Sequence, residues 1–268
     1  MKNKALLVGI NKYPNPNNEL KGCVNDILDI EHFITETNKV YSKQNIKKLT
    51  DKQATKKEIV TQIKWLVEGA QSGDQLLFHY SGHGAQTPTL SPSLEEDGLD
   101  EIICPYDFDG SAATTLRDKE FAQLFAGLPK GVHFVWISDS CHAEDLSRDL
   151  NKDQATFYRQ FQGIKPQMHE KLANNTIQGL NALTTPITNP LNGALLSACA
   201  SHELSADAYI NKRYNGAFTH YLIKNLLQYS NSKNMQAIIK LVNMDLDKNG
   251  YDQNPEIEGL LENKTFFI

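Results

Sequence analysis

The chain is poor in the features that mark membrane, disulfide-stabilised or nucleic-acid-binding proteins. It has four cysteines in 268 residues, and their wide spacing without a C-x-x-C pair argues against a zinc site and a disulfide framework. No segment approaches the roughly 18 apolar residues of a membrane helix. The formal net charge of −5 gives no electrostatic footprint for nucleic acid or an anionic membrane. We therefore expect free thiols, no membrane or nucleic-acid partner, and a cytoplasmic location.

The first apolar run, Ala5 to Ile10, is shorter than the apolar core of a signal peptide and predicts a buried strand instead. Strand-like and helix-like segments then alternate along the chain. Strands are predicted at 4–10, 46–50, 75–80, 132–138 and 193–200, and helices at 23–37, 55–70, 118–128, 216–228 and 234–246. We predict a polar loop over 85–98. This alternation predicts an α/β fold with a mainly parallel central sheet that is covered by helices on both faces.

Two predicted strands end in small polar residues and are each followed by a reactive side chain. His83 lies between two glycines in "HYSGHGAQ", and Cys141 lies in "FVWISDSCHAED". Parallel strands bring such residues to the same edge of a sheet, where ligands bind. A thiol, a histidine and the free N–H group of Gly84 are the groups that acyl transfer needs. The alternative is that both residues have only structural roles, because a lone histidine is usually structural and a lone cysteine is usually a small buried hydrophobe.

These motifs, in this order, resemble those of the caspase-like cysteine peptidases, above all the metacaspases and the bacterial orthocaspases. Further segments agree in order along the chain, namely "ALLVGINKY", "LKGCVNDI", "EEDGLDEIICPYD", "LLSACASHELSAD" and "GAFTHYL". The resemblance implies one caspase-like peptidase domain over 1–268, folded as a three-layer sandwich. Its parts would be a large-subunit-like part (1–144), a linker (145–192) and a small-subunit-like part (193–268).

The resemblance also implies a role for each residue of the site. Cys141 would be the nucleophile and His83 the general acid and base. The backbone N–H groups of Gly84 and Cys141 would form the oxyanion hole. The first specificity pocket would be lined by Asp26, Asp139, Ser81 and Cys23.

Two carboxylates that face one pocket repel each other, and a cation between them relieves the repulsion. The expected activity is therefore cleavage of proteins or peptides after Arg or Lys. Without the resemblance, Asp26 would be read as an acid that stabilises the start of a helix.

Many metacaspases need calcium, and the resemblance implies Asp100 and Asp118 as ligands. Arg117 and Arg148 stand where the family often has acids, which weakens a site that wants six to eight oxygens. Calcium is thus expected only as an activator, and the chemistry needs no cofactor. A second pattern, "DLDKNGYDQNPE" over 245–256, matches the calcium loop of an EF-hand. A turn before a final strand explains the same residues, because Pro255 lies where an exiting helix would begin.

The linker over 145–192 carries several basic residues, so an enzyme that cuts after Arg or Lys could process itself there; a solvated loop is the alternative. The alternative function for the chain is a non-catalytic scaffold on the same fold. The presence of both His83 and Cys141 favours the enzyme. Regulation would come from calcium, self-processing, or an activating or inhibiting protein partner, and the resemblance implies a monomer.

Overall fold

The computed structural model describes residues 1–89, 99–141, 156–161 and 192–267. The described strands are β1 (Asn3–Gly9), β2 (Ile46–Thr50), β3 (Gln75–Ser81), β4 (Gly84–Pro88), β5 (Leu99–Ile103), β6 (Leu116–Arg117), β7 (His133–Asp139), β8 (Thr156–Tyr158), β9 (Ala194–Ser197), β10 (Ala206–Ile210), β11 (Arg213–Gly216) and β12 (Glu256–Glu258). The described α-helices are α1 (Cys23–His32), α2 (Lys56–Val67), α3 (Asp118–Phe125), α4 (Ala217–Tyr229) and α5 (Met235–Lys248). Within these ranges, no helix is both long and apolar enough to cross a bilayer.

Six strands form the central sheet in the order β12-β9-β7-β3-β1-β2. All neighbouring pairs are parallel except the edge pair β12–β9. The prediction of a mainly parallel sheet is confirmed. Strand β9 pairs with β7, so the sheet joins strands that precede residues 145–192 to a strand that follows them.

Alternate side chains of the inner strands supply the two hydrophobic cores. In β1, Ala5 and Leu7 face a core that α1, α4 and α5 complete, whereas Leu6 and Val8 face a core that α2 and α3 complete. Successive side chains of a strand point to opposite faces, so a strand that is buried on both faces is apolar throughout. The molecule is therefore a three-layer sandwich of helices, sheet and helices, as the sequence predicts.

The helices begin where the sequence indicates. At the start of α2, the Thr55 hydroxyl accepts a hydrogen bond from the N–H of Glu58 at 3.3 Å. The Glu58 side chain accepts a hydrogen bond from the side-chain amide of Gln62 one turn later. The helix predicted over 23–37 is α1 as far as His32, followed by a wider π-helical turn, Phe33–Thr37.

Two small antiparallel sheets lie beside the central one, in the orders β4-β5-β6 and β11-β10-β8. The polar loop predicted over 85–98 is wrong at its start, because residues 84–88 form strand β4 and pair with β5. Its sequence, Gly-Ala-Gln-Thr-Pro, carries no alternating apolar signal, although most of it is buried. Residues 90–98 of that predicted loop lie outside the described residues.

The segment that resembles an EF-hand loop forms the end of α5 and the turn before β12. Asp245 is bound by Lys224 at 2.7 Å and by the amide of Asn225 at 2.8 Å, both on α4. Gln253 is buried, and its side chain bridges the N–H of Ala206 and the carbonyl of Ala198. These contacts agree with a turn before a final strand.

Candidate active site

His83 and Cys141 follow the carboxyl ends of neighbouring parallel strands. Strands β3 and β7 pair along their whole length, and their last residues, Ser81 and Asp139, lie opposite each other. His83 is two residues beyond Ser81, and Cys141 is two residues beyond Asp139. Both side chains are buried. The topology thus brings the two predicted reactive residues to one edge of the sheet.

The main chain of His83 is fixed by hydrogen bonds on both sides. Its N–H donates to the Tyr13 hydroxyl at 2.9 Å, and its carbonyl accepts from the Tyr80 hydroxyl at 2.7 Å. The ring Nε2 lies 2.9 Å from the carbonyl oxygen of Asn18. A carbonyl oxygen only accepts, so Nε2 carries the proton and Nδ1 holds the lone pair. Burial lowers the pKa of His83 to about 4, against the opposing effect of the Asn18 and Arg159 main chains.

The Cys141 sulfur contacts the main chain of Ser205, which directly precedes β10. The Ser205 N–H lies 2.7 Å from Sγ, and Sγ lies 3.4 Å from the Ser205 carbonyl oxygen. The nearby thiol of Cys141 and burial together raise the pKa of Cys199. The sulfur therefore sits between the central sheet and β10.

The predicted specificity residues Asp26, Ser81 and Asp139 are fully buried around one guanidinium group, that of Arg159. One terminal nitrogen of Arg159 lies 2.6 Å from Asp26, and the other lies 2.9 Å from Asp139. The Ser81 hydroxyl accepts a further hydrogen bond from Arg159 at 2.8 Å. The fold brings these three predicted residues together, and the cation between them belongs to the chain itself.

A third carboxylate, that of Asp207 on β10, completes the pocket. It lies 3.1 Å from Arg159 and is itself held by the N–H groups of Lys21 and Gly22 at 2.7 and 2.9 Å. Asp207 is not among the residues predicted from the sequence, although it lies in "LLSACASHELSAD", a segment that carries the resemblance. Its position on a short strand of a small sheet gave no periodic signal.

Neutral donors hold the other two carboxylates in place. Asp26 accepts from the Asn215 amide at 3.0 Å and from the Gly216 N–H at 2.9 Å. Asp139 accepts from the Thr219 hydroxyl at 2.6 Å. Burial raises the pKa of Asp26 to about 7, and Arg159 opposes the rise. The pocket is thus an acidic site whose carboxylates are held by hydrogen bonds, and a cation is strongly favoured in it.

Cys23, the fourth predicted pocket residue, is buried beside these groups at the start of α1. Burial raises the pKa of its thiol well above its ordinary value, and the nearby Arg159 opposes the rise. We therefore interpret Cys23 as a neutral wall of the pocket. Gly216 forms another part of that wall, because a Cβ atom there would lie 2.2 Å from an Asp139 oxygen.

The main chain around Arg159 lies along the site as an added strand. Strand β8 pairs antiparallel with β10, with Tyr158 opposite Ala206. The Arg159 N–H donates to the Ser205 carbonyl at 3.0 Å. The Arg159 carbonyl oxygen accepts from the N–H of Gly84 at 3.0 Å. Gly84 is the predicted oxyanion donor, and it holds the carbonyl that would be attacked if Arg159 were the residue before a cleaved bond.

Arg159 is one of five basic residues in the linker over 145–192, and the sequence does not distinguish it from the others. The other four, Arg148, Lys152, Lys165 and Lys171, lie outside the described residues. Burial and the three carboxylates distinguish Arg159, and neither is readable from its local sequence.

Of the two residues implied for calcium, Asp100 is already neutralised by cations of the chain. Asp100 is fully buried and lies 2.6 Å from Arg117, and it is also paired with Lys119. These cations hold the pKa of Asp100 below its ordinary value against the effect of burial. Asp118 accepts from the N–H of Lys119 in the first turn of α3. In the part of the chain that the structure describes, no group of three or more His, Cys, Asp or Glu residues could hold a metal ion.

Comparisons with known proteins identify the family of the chain. Residues 3–149 match the family model "Metacaspase, peptidase C14 domain". Metacaspase-1 of Cryptococcus neoformans is 32% identical over 96% of this chain and 62% of its own length. Metacaspase-1 of Meyerozyma guilliermondii is 31% identical over 95% of this chain and 68% of its own length. Metacaspase-1A of Aspergillus niger is 42% identical over 53% of this chain and 36% of its own length.

The fold is shared with a crystal structure of a Geobacter sulfurreducens protein, at a TM-score of 0.74 and 24% identity over 100% of this chain and 99% of that one. The chain spans about two thirds or less of the length of these fungal relatives. The family model covers more than half of the chain, and it includes both residues of the predicted dyad. With relatives that are about one-third identical over nearly the whole chain, these matches show that the chain belongs to the metacaspase family of caspase-like peptidases.

Proposed function

We propose that the chain is a cysteine endopeptidase that cleaves proteins or peptides after Arg or Lys. The observation that carries the proposal is the position of Arg159. Its guanidinium is buried among three carboxylates, while its carbonyl oxygen accepts from the Gly84 N–H at 3.0 Å. A substrate arginine bound in the same way would present its carbonyl carbon beside Cys141 and His83.

The proposed reaction uses the dyad in two steps. His83 Nδ1 takes the thiol proton, and the Cys141 sulfur attacks the carbonyl carbon. The N–H groups of Gly84 and Cys141 hold the oxyanion. The carbon–nitrogen bond then breaks, and His83 returns the proton to the leaving amine. Water next adds to the thioester with His83 as base, which releases the carboxylate product and the free thiol.

The pocket accounts for the proposed specificity. A buried acidic pocket without a cation leaves like charges unpaired, so a neutral or acidic side chain is disfavoured strongly. The two terminal nitrogens of Arg159 share the contacts with the carboxylates of Asp26, Asp139 and Asp207. Lysine has a single nitrogen and cannot form such a fork. We expect arginine to be preferred over lysine, and aspartate to be rejected.

The same contacts support self-processing at one bond. Because Arg159 is part of the chain, the bond between Arg159 and Gln160 already occupies the site before any other substrate binds. We include cleavage of this bond, within one molecule, in the proposed function. Until this bond is cut and the two new chain ends leave the site, Arg159 competes with any substrate for the pocket.

The test measures fluorophore release from matched peptides that end in Arg, Lys or Asp. Turnover of the Arg and Lys peptides by the wild type, with none by Cys141→Ala, is the expected result. Turnover of the Asp peptide alone would contradict the acidic pocket. Absence of turnover for every peptide, after removal of the Arg159 strand by limited proteolysis, would favour the alternative of a non-catalytic scaffold.

A further inference from the structure

The strand that carries Arg159 continues past the pocket to Phe161. Gly84 contacts the chain on both sides of the Arg159–Gln160 bond. It donates its N–H to the Arg159 carbonyl at 3.0 Å and accepts from the Phe161 N–H at 3.2 Å. Gln160 lies opposite Gly84 in a parallel bridge. The chain is therefore held in an extended, fixed register on the side of the leaving amine as well.

Side chains two positions apart in an extended chain point to the same side. The side chain of Phe161 therefore points to the same side as that of Arg159, towards the protein interior, where its ring contacts three other rings. The distances between ring centroids are 5.9 Å to Tyr13, 5.7 Å to His83 and 4.9 Å to Phe108. The angles between ring planes are 78°, 84° and 84°. These edge-on contacts are the arrangement that aromatic pairs prefer.

Contacts that do not involve Phe161 hold the three rings in place. The Tyr13 hydroxyl accepts from the His83 N–H at 2.9 Å, and the two ring centroids lie 4.9 Å apart. The N–H of Phe108 donates to the carbonyl of Pro105 at 3.0 Å. All three rings are buried beneath Phe161, which is itself only half-buried. Departure of Phe161 would uncover a preformed apolar recess next to the reacting bond.

We propose that Tyr13, His83 and Phe108 form a second specificity pocket, which binds an aromatic side chain two residues after the cleaved bond of a protein substrate. This inference rests on the proposed function, since it concerns the same cleavage. Phe161 is the occupant supplied by the chain itself, as Arg159 is for the acidic pocket. Selection on both sides of the bond narrows the substrates to an Arg or Lys followed, after one residue, by an aromatic residue.

The experiment compares two quenched fluorescent peptides, Thr-Phe-Tyr-Arg-Gln-Phe and Thr-Phe-Tyr-Arg-Gln-Ala, each with short flanks. The first reproduces residues 156–161. A third substrate, an amide whose fluorophore directly follows Arg, lacks any residue after the bond. The uncut Arg159 strand competes equally with both peptides, so their ratio of kcat/KM is independent of self-processing. We expect the Phe peptide to be favoured roughly tenfold or more, because an apolar pocket discriminates on this scale.

The variant Phe108→Ala removes one wall of the pocket and should reduce this ratio several-fold. Leu227→Ala, an exposed position on α4, is the matched apolar truncation and should leave the ratio unchanged. Turnover of the Arg amide with a peptide ratio near one would overturn the second pocket and leave the proposed function intact. A ratio that Phe108→Ala does not change would also overturn it. Absence of turnover of the Arg amide would overturn both.

Discussion

A terminal nitrogen of Arg159 lies 2.6 Å from a carboxylate oxygen of Asp26, and neither side chain is exposed to solvent. Charges taken out of water are costly unless they are closely paired and hydrogen-bonded. Here the second nitrogen of Arg159 pairs with Asp139, and neutral donors satisfy the remaining carboxylate oxygens. Removal of the arginine leaves three acids facing one another, so the pocket requires a cation from one source or another.

The first prediction concerns self-cleavage at Arg159. We expect the purified wild-type chain to yield two fragments, one that ends at Arg159 and one that begins at Gln160, as measured by intact mass. Arg159→Ala should abolish this cut, because the acidic pocket then has no cation beside the bond. Arg159→Lys should retain it at a reduced rate, since one charge remains without the fork.

Two controls accompany this prediction. Cys141→Ala should remain intact, and Arg148→Ala should be cut as the wild type is. If Arg159→Ala gives the same two fragments as the wild type, the assignment of the bond is contradicted. If Cys141→Ala is cut as well, the cut is made by a contaminating protease.

A methyl group at Gly216 should close the acidic pocket. The Cβ of Gly216→Ala would lie 2.2 Å from an oxygen of Asp139 and 2.7 Å from both terminal nitrogens of Arg159. We expect kcat/KM for the Arg peptide to fall at least about tenfold, which is the effect of about 1.4 kcal/mol on the transition state. The matched control is Gly127→Ala, where the added Cβ meets nothing within 4 Å. Equal activity of the two variants would contradict the prediction.

Calcium should have little effect on the rate. The buried carboxylate of Asp100 is already paired with Arg117 and Lys119, so a cation that arrived there would meet positive charge. We expect kcat/KM for the Arg peptide to agree within about twofold between millimolar calcium and a chelator, with magnesium as the control ion. Activation by tenfold or more that is specific to calcium would show that residues beyond the described ones complete a site.

The stability of the chain should fall in acid partly through His79, a residue of β3. It is fully buried, and neither ring nitrogen has a hydrogen-bond partner among the residues that the structure describes. Burial lowers its pKa from 6.5 to about 3, against the opposing effect of Asp139. Between these values the unfolded chain binds a proton that the folded chain does not, so stability is full above pH 6.5 and declines below it.

The variant His79→Leu removes this titration. The quantity to compare is the free energy of unfolding of the variant minus that of the wild type. This difference should be about 2 kcal/mol larger at pH 5 than at pH 7.5. Urea unfolding at both pH values measures the difference, and any cost of altered packing cancels between them. A difference that does not depend on pH would show that His79 is protonated to the same extent in the folded and unfolded chains.

The sequence predicted the parts of the site that depend on regular elements. His83 and Cys141 were predicted because each follows an apolar strand, and the structure places both after neighbouring strands of the central sheet. Asp207 and Arg159 were not distinguished, since each gains its role through pairing of short strands in the small sheet. Those pairings join residues about 50 positions apart, and no local signal encodes such a contact.

The hydrogen bonds of Gly84 give the self-cleavage reaction a kinetic signature. One glycine holds the carbonyl of Arg159 and the N–H of Phe161, so hydrolysis of the bond between them leaves two chain ends attached to the same residue. Cutting and opening are therefore separate events. Activity against added peptides should rise after a lag, and the half-time of that lag should be the same at every enzyme concentration.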